Sequence, residues 1–237
     1  MTTPPEPTQF EDRAKTTSLD WLVWQLADSA FPIGGFAHSG GLEAAWRAGT
    51  VRGEGGVEEF ARVQLVQWSR AALPFVNAAH SESQPFRLLD ALCDSFLNNH
   101  VANRASRRQG QAFLATAEAV YPLDSLTKLR REVSEEKLPG HFAVVFGEIG
   151  KRLSLPPKTT ARLFIYVALR GLLSSAVRLG ALGPAEAQRI QLRLAGRCED
   201  VVCLGQVRGI EMIAQTAPLS EILQATHDRL YTRLFQS

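Results

Sequence analysis

Residues 28–43 read DSAFPIGGFAHSGGLE. Asp28, Ser29, His38, Ser39 and Glu43 stand in that short run, together with the open backbone of Gly34 and Gly35. Glycine reaches backbone angles that a β-carbon forbids, and Pro32 fixes its own φ while turning Phe31 away from helix. Phe31, Ile33 and Phe36 are too apolar for an idle surface loop. The run therefore reads as a buried, shaped turn between two helical patterns, residues 19–27 before it and 41–46 after it. Its polar groups, with Gly35 and Gly41 as hinges, are expected to find partners inside the fold.

Outward from this turn the periodicity is helical. Phe60, Val63, Gln64, Gln67 and Trp68 mark a long segment that Pro74 is placed to kink. Pro85 opens a helix carrying Leu88, Leu89, Leu92 and Phe96. Helices follow over 101–120 and 124–134, the second with Asp124 where a carboxylate suits the helix dipole. Pro139-Gly140 breaks the chain before 141–153. Residues 159–179 form the longest apolar helix, and Gly183-Pro184 stops it and starts the next over 185–198. Pro218 starts the last segment, with Leu219, Ile222, Leu223, Leu230 and Leu234 on one stripe.

Residues 201–204, VVCL, are the one strand-like run, and neither β-branched alternation nor a repeat period occurs elsewhere. The expected fold is all-α: a single compact domain over 18–237 with about nine or ten helices. Residues 1–17, polar and proline-bearing, are expected to be a disordered tail.

Composition narrows the function classes. A chain of 237 residues that is 45% hydrophobic can bury one sizeable core. A net charge of +2 argues against general nucleic-acid binding. No apolar run reaches the ~18 residues a membrane span needs, and the N-terminus lacks the apolar core of a secretory signal. Cytoplasmic residence is the expectation. Three cysteines, Cys93, Cys198 and Cys203, are too few for a disulfide framework and read as reduced, buried fillers.

Several constellations invite a chemical reading. Asp28, His38 and Ser39 can be sketched as a hydrolase triad, but Ser39 directly follows His38 and no strand–turn–helix elbow presents it. The five histidines, His38, His80, His100, His141 and His227, include no pair at helical spacing, so no helix face offers a preformed nickel site. Residues 147–152, GEIGKR, lack the leading Gly and trailing Ser or Thr of a phosphate loop.

Arg104, Arg107 and Arg108 make a basic patch beside the small residues Ala105, Gly110 and Ala112, which suits an acidic partner or an internal carboxylate. Arg170 and Arg178 sit in an apolar helix and need partners if buried. At the other end of the chain, HDRLYTRLFQS places Tyr231, Leu234 and Phe235 among Arg229 and Arg233. Such a stripe either docks on the body of the fold or is held by another chain.

Five blocks together resemble the UreF family of urease accessory proteins: residues 28–43, 103–113 (NRASRRQGQAF), 140–147 (GHFAVVFG), 174–188 (SSAVRLGALGPAEAQ) and 227–237 (HDRLYTRLFQS). They stand in the family's order from about residue 19 to the C-terminus. The resemblance implies a helical, non-catalytic chaperone without cofactors. It would bind a UreD-type (UreH) partner and recruit the UreG GTPase, so that GTP hydrolysis is coupled to nickel insertion into apo-urease. It implies a homodimer, and a C-terminal tail (Arg229, Tyr231, Arg233, Leu234, Phe235) that engages the UreD-type partner. The alternatives are a GTPase-activating protein for that GTPase and a helical hydrolase using Asp28, His38 and Ser39.

Overall fold

The computed structural model describes residues 19–237, and the expected disordered tail lies outside them. The chain divides after Phe31. The first unit carries α1 (Leu19–Ala27), on which Trp21 and Trp24 meet edge to face with ring centroids 5.0 Å apart. The second unit, Pro32–Ser237, carries ten α-helices and, among the described residues, no strand. The all-α expectation holds.

Those helices are α2 (Leu42–Arg47), α3 (Gly53–Ala71), α4 (Leu73–Ser81), α5 (Phe86–Phe96), α6 (His100–Val120), α7 (Asp124–Glu135), α8 (Phe142–Arg152), α9 (Pro157–Arg178), α10 (Pro184–Gln206) and α11 (Pro218–Ala225). Short 3₁₀ turns stand at Gly35–Ala37, Ile210–Met212 and Thr226–Arg229. Proline opens α9, α10 and α11 within the first turn, where its missing N–H costs nothing. Pro74 does the same for α4, so the segment expected to kink there separates into α3 and α4. At the start of α6 the Asn99 side chain accepts the amides of Val101 and Ala102 at 3.0 and 3.3 Å.

Helix α8 is the centre of this unit: every residue from Phe142 to Gly150 is buried. Phe142 and Phe146 stack with Phe113 of α6 and Phe164 of α9 at centroid distances of 5.3–6.1 Å. Glycines let backbones touch here. A β-carbon on Gly147 would lie 2.2 Å from the carbonyl oxygen of Val76 in α4, and one on Gly110 would lie 2.0 Å from that of Gly140. The GEIGKR run is thus interior helix, its amides committed to helical bonds rather than offered to a phosphate.

The strand-like VVCL run is helical within α10. Val201 and Val202 are buried and Gly205 lies against Leu73, so tertiary burial overrides a weak β preference. Helix α9 departs from the sequence reading in another way. At 22 residues it is long and apolar enough to cross a bilayer, yet 61% of that apolar stretch is packed inside the fold. It is a core helix.

A buried polar cluster ties the start of α8 to its neighbours. Asp90, fully buried on α5, accepts the amides of Gly140 and His141, each at 2.8 Å. His141 pairs through Nε2 with Asp94 at 3.0 Å and through Nδ1 with Ser106 at 3.1 Å, and Ser106 Oγ accepts the Phe142 amide. Burial pushes the Asp90 carboxyl up and the His141 imidazole down, both toward the neutral form.

Candidate functional site: the hinge turn and the C-terminal segment

The turn after Pro32 is shaped by three left-handed glycines, Gly34, Gly40 and Gly41. Gly34 (φ 78°) precedes the Gly35–Ala37 turn, and Gly41 (φ 88°) precedes α2. A side chain at either would be strained, and each glycine also packs closely. An added β-carbon at Gly34 would meet Ala112 of α6 at 3.2 Å, and one at Gly41 would meet Gln224 of α11 at 3.1 Å. Thr116 of α6 donates to the Pro32 carbonyl at 3.0 Å.

Into this turn settles the C-terminal segment. Glu43, 0% exposed, accepts three donors: the Leu234 amide at 2.8 Å, the Phe235 amide at 3.1 Å and His227 Nε2 at 3.1 Å. His227 is equally buried, and its Nδ1 has no hydrogen-bond partner.

Ser39 donates twice to the Ser237 carbonyl oxygen, from its amide at 2.6 Å and its hydroxyl at 3.1 Å, while Ser39 Oγ accepts the Glu43 amide at 3.4 Å. The Gln236 amide donates to the Ala37 carbonyl at 2.8 Å. His38 Nδ1 pairs with Ser237 Oγ at 2.5 Å. Burial lowers the His38 pKa to about 4, helped by the charges of Arg108, Arg104 and His227, so this imidazole is neutral at pH 7.

Arg178 at the end of α9 binds the two parts together. Its guanidinium lies 3.7 Å from the Phe36 ring centroid and 4.2 Å from that of Phe235, and it donates to Ser175 Oγ at 3.3 Å. Stacking on two rings answers the need for partners that the sequence posed for this residue. Beside it, Arg104 grips Asp228 with two bonds of 3.1 and 2.8 Å, and Arg233 and His100 reach the same carboxylate at 3.3 and 3.2 Å. Arg108 donates to Gln236 at 3.0 Å.

The structure thus brings together Gly35, Phe36, His38, Ser39, Gly41, Glu43, Arg104, Arg178, Arg233, Leu234 and Phe235 from the sequence-derived set. Of the two possibilities left open for the C-terminal stripe, this arrangement seats it on the body of the fold. Phe235 is buried, Tyr231 and Arg229 are exposed, and Leu234 is 55% exposed. Arg107 is exposed on α6. Asp28 and Ser29 form a local turn in the first unit, Asp28 Oδ1 accepting the Ala30 amide at 2.9 Å and the Ser29 hydroxyl at 3.5 Å; Phe31 is buried.

The bonds of His38 and Ser39 described above run to Ser237 and Glu43, and Asp28 is spent on its own turn; none joins the three as a triad would. Among the described residues no group of three or more His, Cys, Asp or Glu side chains gathers as a metal ion would require. Asp228 and Gln236 were not singled out from sequence, and His227 was weighed there only as a metal ligand, although an HD pair beside alternating arginines was visible. Their partners are more than a hundred residues away, which no local pattern reports.

The UreF family model matches residues 51–195. Urease accessory protein F of Oryza sativa subsp. indica is 36% identical over 219 residues, covering 91% of this chain and 84% of its own. Urease accessory protein F of Arabidopsis thaliana is 34% identical over 226 residues, 94% of each chain. Urease accessory protein UreF of Mycobacterium tuberculosis is 30% identical over 221 residues, 93% of this chain and all of its own.

Proposed function

The chain belongs to the UreF family of urease accessory proteins and so has a role in urease maturation; we propose that it fills this role as a non-catalytic scaffold. In this reading it binds a UreD-type (UreH) protein, and the pair recruits the UreG GTPase to apo-urease for GTP-dependent nickel insertion. It acts as a homodimer in the cytoplasm, takes no cofactor of its own, and leaves nucleotide chemistry to the GTPase.

One observation carries the proposal. The C-terminal segment is half anchored and half presented: Phe235 and the backbone of 234–237 are held by Glu43, Ser39 and Arg178, while Tyr231 and Leu234 point outward. A surface built this way offers a partner an aromatic and an aliphatic side chain on a backbone already ordered, which lowers the entropy cost of association.

The test is size-exclusion chromatography with light scattering on the full chain, its Tyr231→Ala/Leu234→Ala variant, and the UreD-type and GTPase partners. The scaffold reading expects a stoichiometric complex with the wild type and its loss with the variant, whose circular dichroism stays unchanged. Equal complex formation by both proteins would remove the C-terminal segment from the interface.

A further inference from the structure

We infer that arginines left without a counter-ion beside the C-terminal segment form a docking strip for an acidic protein surface. This rests on the reading of that segment as a partner-binding face, and it names the chemistry the partner must bring.

On α6, His100, Arg104, Arg107 and Arg108 fall at helical spacings that place them along one side. The sequence left two uses open for this patch, an internal carboxylate or an acidic partner. The structure divides the residues between them. Arg104 is the internal strut: with His100 and Arg233 it converges on Asp228.

Arg107, Arg108 and Arg229 are exposed and make no ion pair with any described residue. Arg108 meets only the neutral amide of Gln236, and that bond joins the helix to the C-terminal segment as one surface. Asp94, the acid whose carboxyl Arg107 helps to hold down, is committed to Asn103 and His141.

Arg104 and Arg233 thus share one carboxylate, Asp228. Exposed Arg107, Arg108 and Arg229 add positive charge to α6 and the C-terminal segment with no ion pair among the described residues, on a chain whose net charge is only +2. Other arginines are matched, Arg62 and Arg193 with Glu58, Arg130 with Glu118 and Arg162 with Glu199. Exposed Arg47, Arg52, Arg87 and Arg131 also lack an ion pair among the described residues but lie away from the C-terminal segment in sequence. The strip's field is already felt at His38, where Arg108 and Arg104 reinforce burial in disfavouring the charged ring.

Guanidinium forks match carboxylates in pairs, so clustered Asp and Glu on a partner are the complementary chemistry. A protein surface fits better than a nucleic acid. Exposed Tyr231 and Leu234 lie next to the strip, giving the apolar centre and charged rim of a protein interface, and the overall charge is too small for a polyanion groove. Because the free arginines are solvated, they act chiefly on the rate of encounter and its salt dependence.

The experiment measures association of the full chain with the UreD-type partner at about 50 and about 300 mM salt, where screening lengths differ more than twofold. Arg107→Glu/Arg108→Glu is expected to slow association about tenfold at low salt and much less at high salt. Arg107→Lys/Arg108→Lys should stay near wild type, and circular dichroism should show every variant folded.

Association that ignores both salt and the Glu variant would overturn the inference while leaving the scaffold reading intact. Tighter binding to an unrelated DNA duplex than to the partner would overturn it as well. No complex with wild type at either salt overturns both readings, and loss in Tyr231→Ala/Leu234→Ala with Arg107→Glu/Arg108→Glu untouched overturns this one alone.

Discussion

Glu43 and Phe235 are 192 residues apart in the chain and 3.1 Å apart in space, the carboxylate of one accepting the amide of the other. Leu234 and His227 donate to the same carboxylate, so one side chain at the start of α2 collects three donors from the C-terminal segment. A fully buried glutamate is tolerable only with such partners. The C-terminal fold and the hinge turn therefore stand or fall together at this residue.

Glu43→Ala should release the segment. It leaves two amides and an imidazole N–H without an acceptor, each worth about 1–3 kcal/mol if it stays buried, so the segment will detach to water instead. Hydrogen exchange at Leu234 and Phe235 is the readout, and protection equal to wild type would refute the role assigned to Glu43. Glu43→Gln, which keeps an acceptor oxygen, should lose part of that protection.

Gly147→Ala should be among the most damaging single-methyl changes in the chain. Its β-carbon would meet backbone, the Val76 carbonyl at 2.2 Å, which cannot swing aside as a side chain can. A loss of about 3 kcal/mol or more is expected from forced separation of α4 and α8. Gly171→Ala is the control: it lies in α9 with nothing within 4 Å of an added β-carbon, so helix propensity should make it neutral or stabilising by up to about 1 kcal/mol. Urea unfolding of both variants decides the point.

The depressed pKa of His38 predicts an acid-sensitive window. The folded ring titrates near 4 against 6.5 when unfolded, so the unfolded chain binds the extra proton between those values. Stability tied to neutral His38 is intact above pH 6.5, falls as pH drops from 6.5 to 4, and falls no further below. Partial exposure limits the effect to the order of 2 kcal/mol. His38→Asn, measured by thermal melts across that range, should show a shallower decline than wild type.

Asp90→Ala should cost about 2–4 kcal/mol, because the amides of Gly140 and His141 lose their acceptor in a closed interior. Asp90→Asn retains one acceptor oxygen and should be milder. Chemical denaturation with tryptophan fluorescence checks the order, and equal stability of wild type and Asp90→Ala would mean that the loop finds other partners.

Much of this was legible beforehand because helices announce themselves locally. Proline at the first turn of α9, α10 and α11, and apolar spacing along α5 and α9, are patterns within a few residues of one another. The VVCL run looks strand-like for the same reason: β-branched residues carry a local preference, and the burial of Val201 and Val202 that overrides it is a tertiary fact. The site divided likewise. Gly35 and Gly41 were marked as hinges by their type, whereas Asp90, Asp228 and Gln236 acquire meaning only from residues far along the chain.

The sequence by itself determined that the chain is helical, where its breaks fall, and which family its blocks resemble, since backbone preference, periodicity and motif order are written in neighbouring residues. Only the tertiary structure decided that Arg104 is an internal strut while Arg107 stays free, that Arg178 is sandwiched by Phe36 and Phe235, and that Glu43 holds the C-terminal segment. These are encounters across 57 to 192 residues of chain. They depend on which helix faces pack together, and packing is settled by the whole core at once.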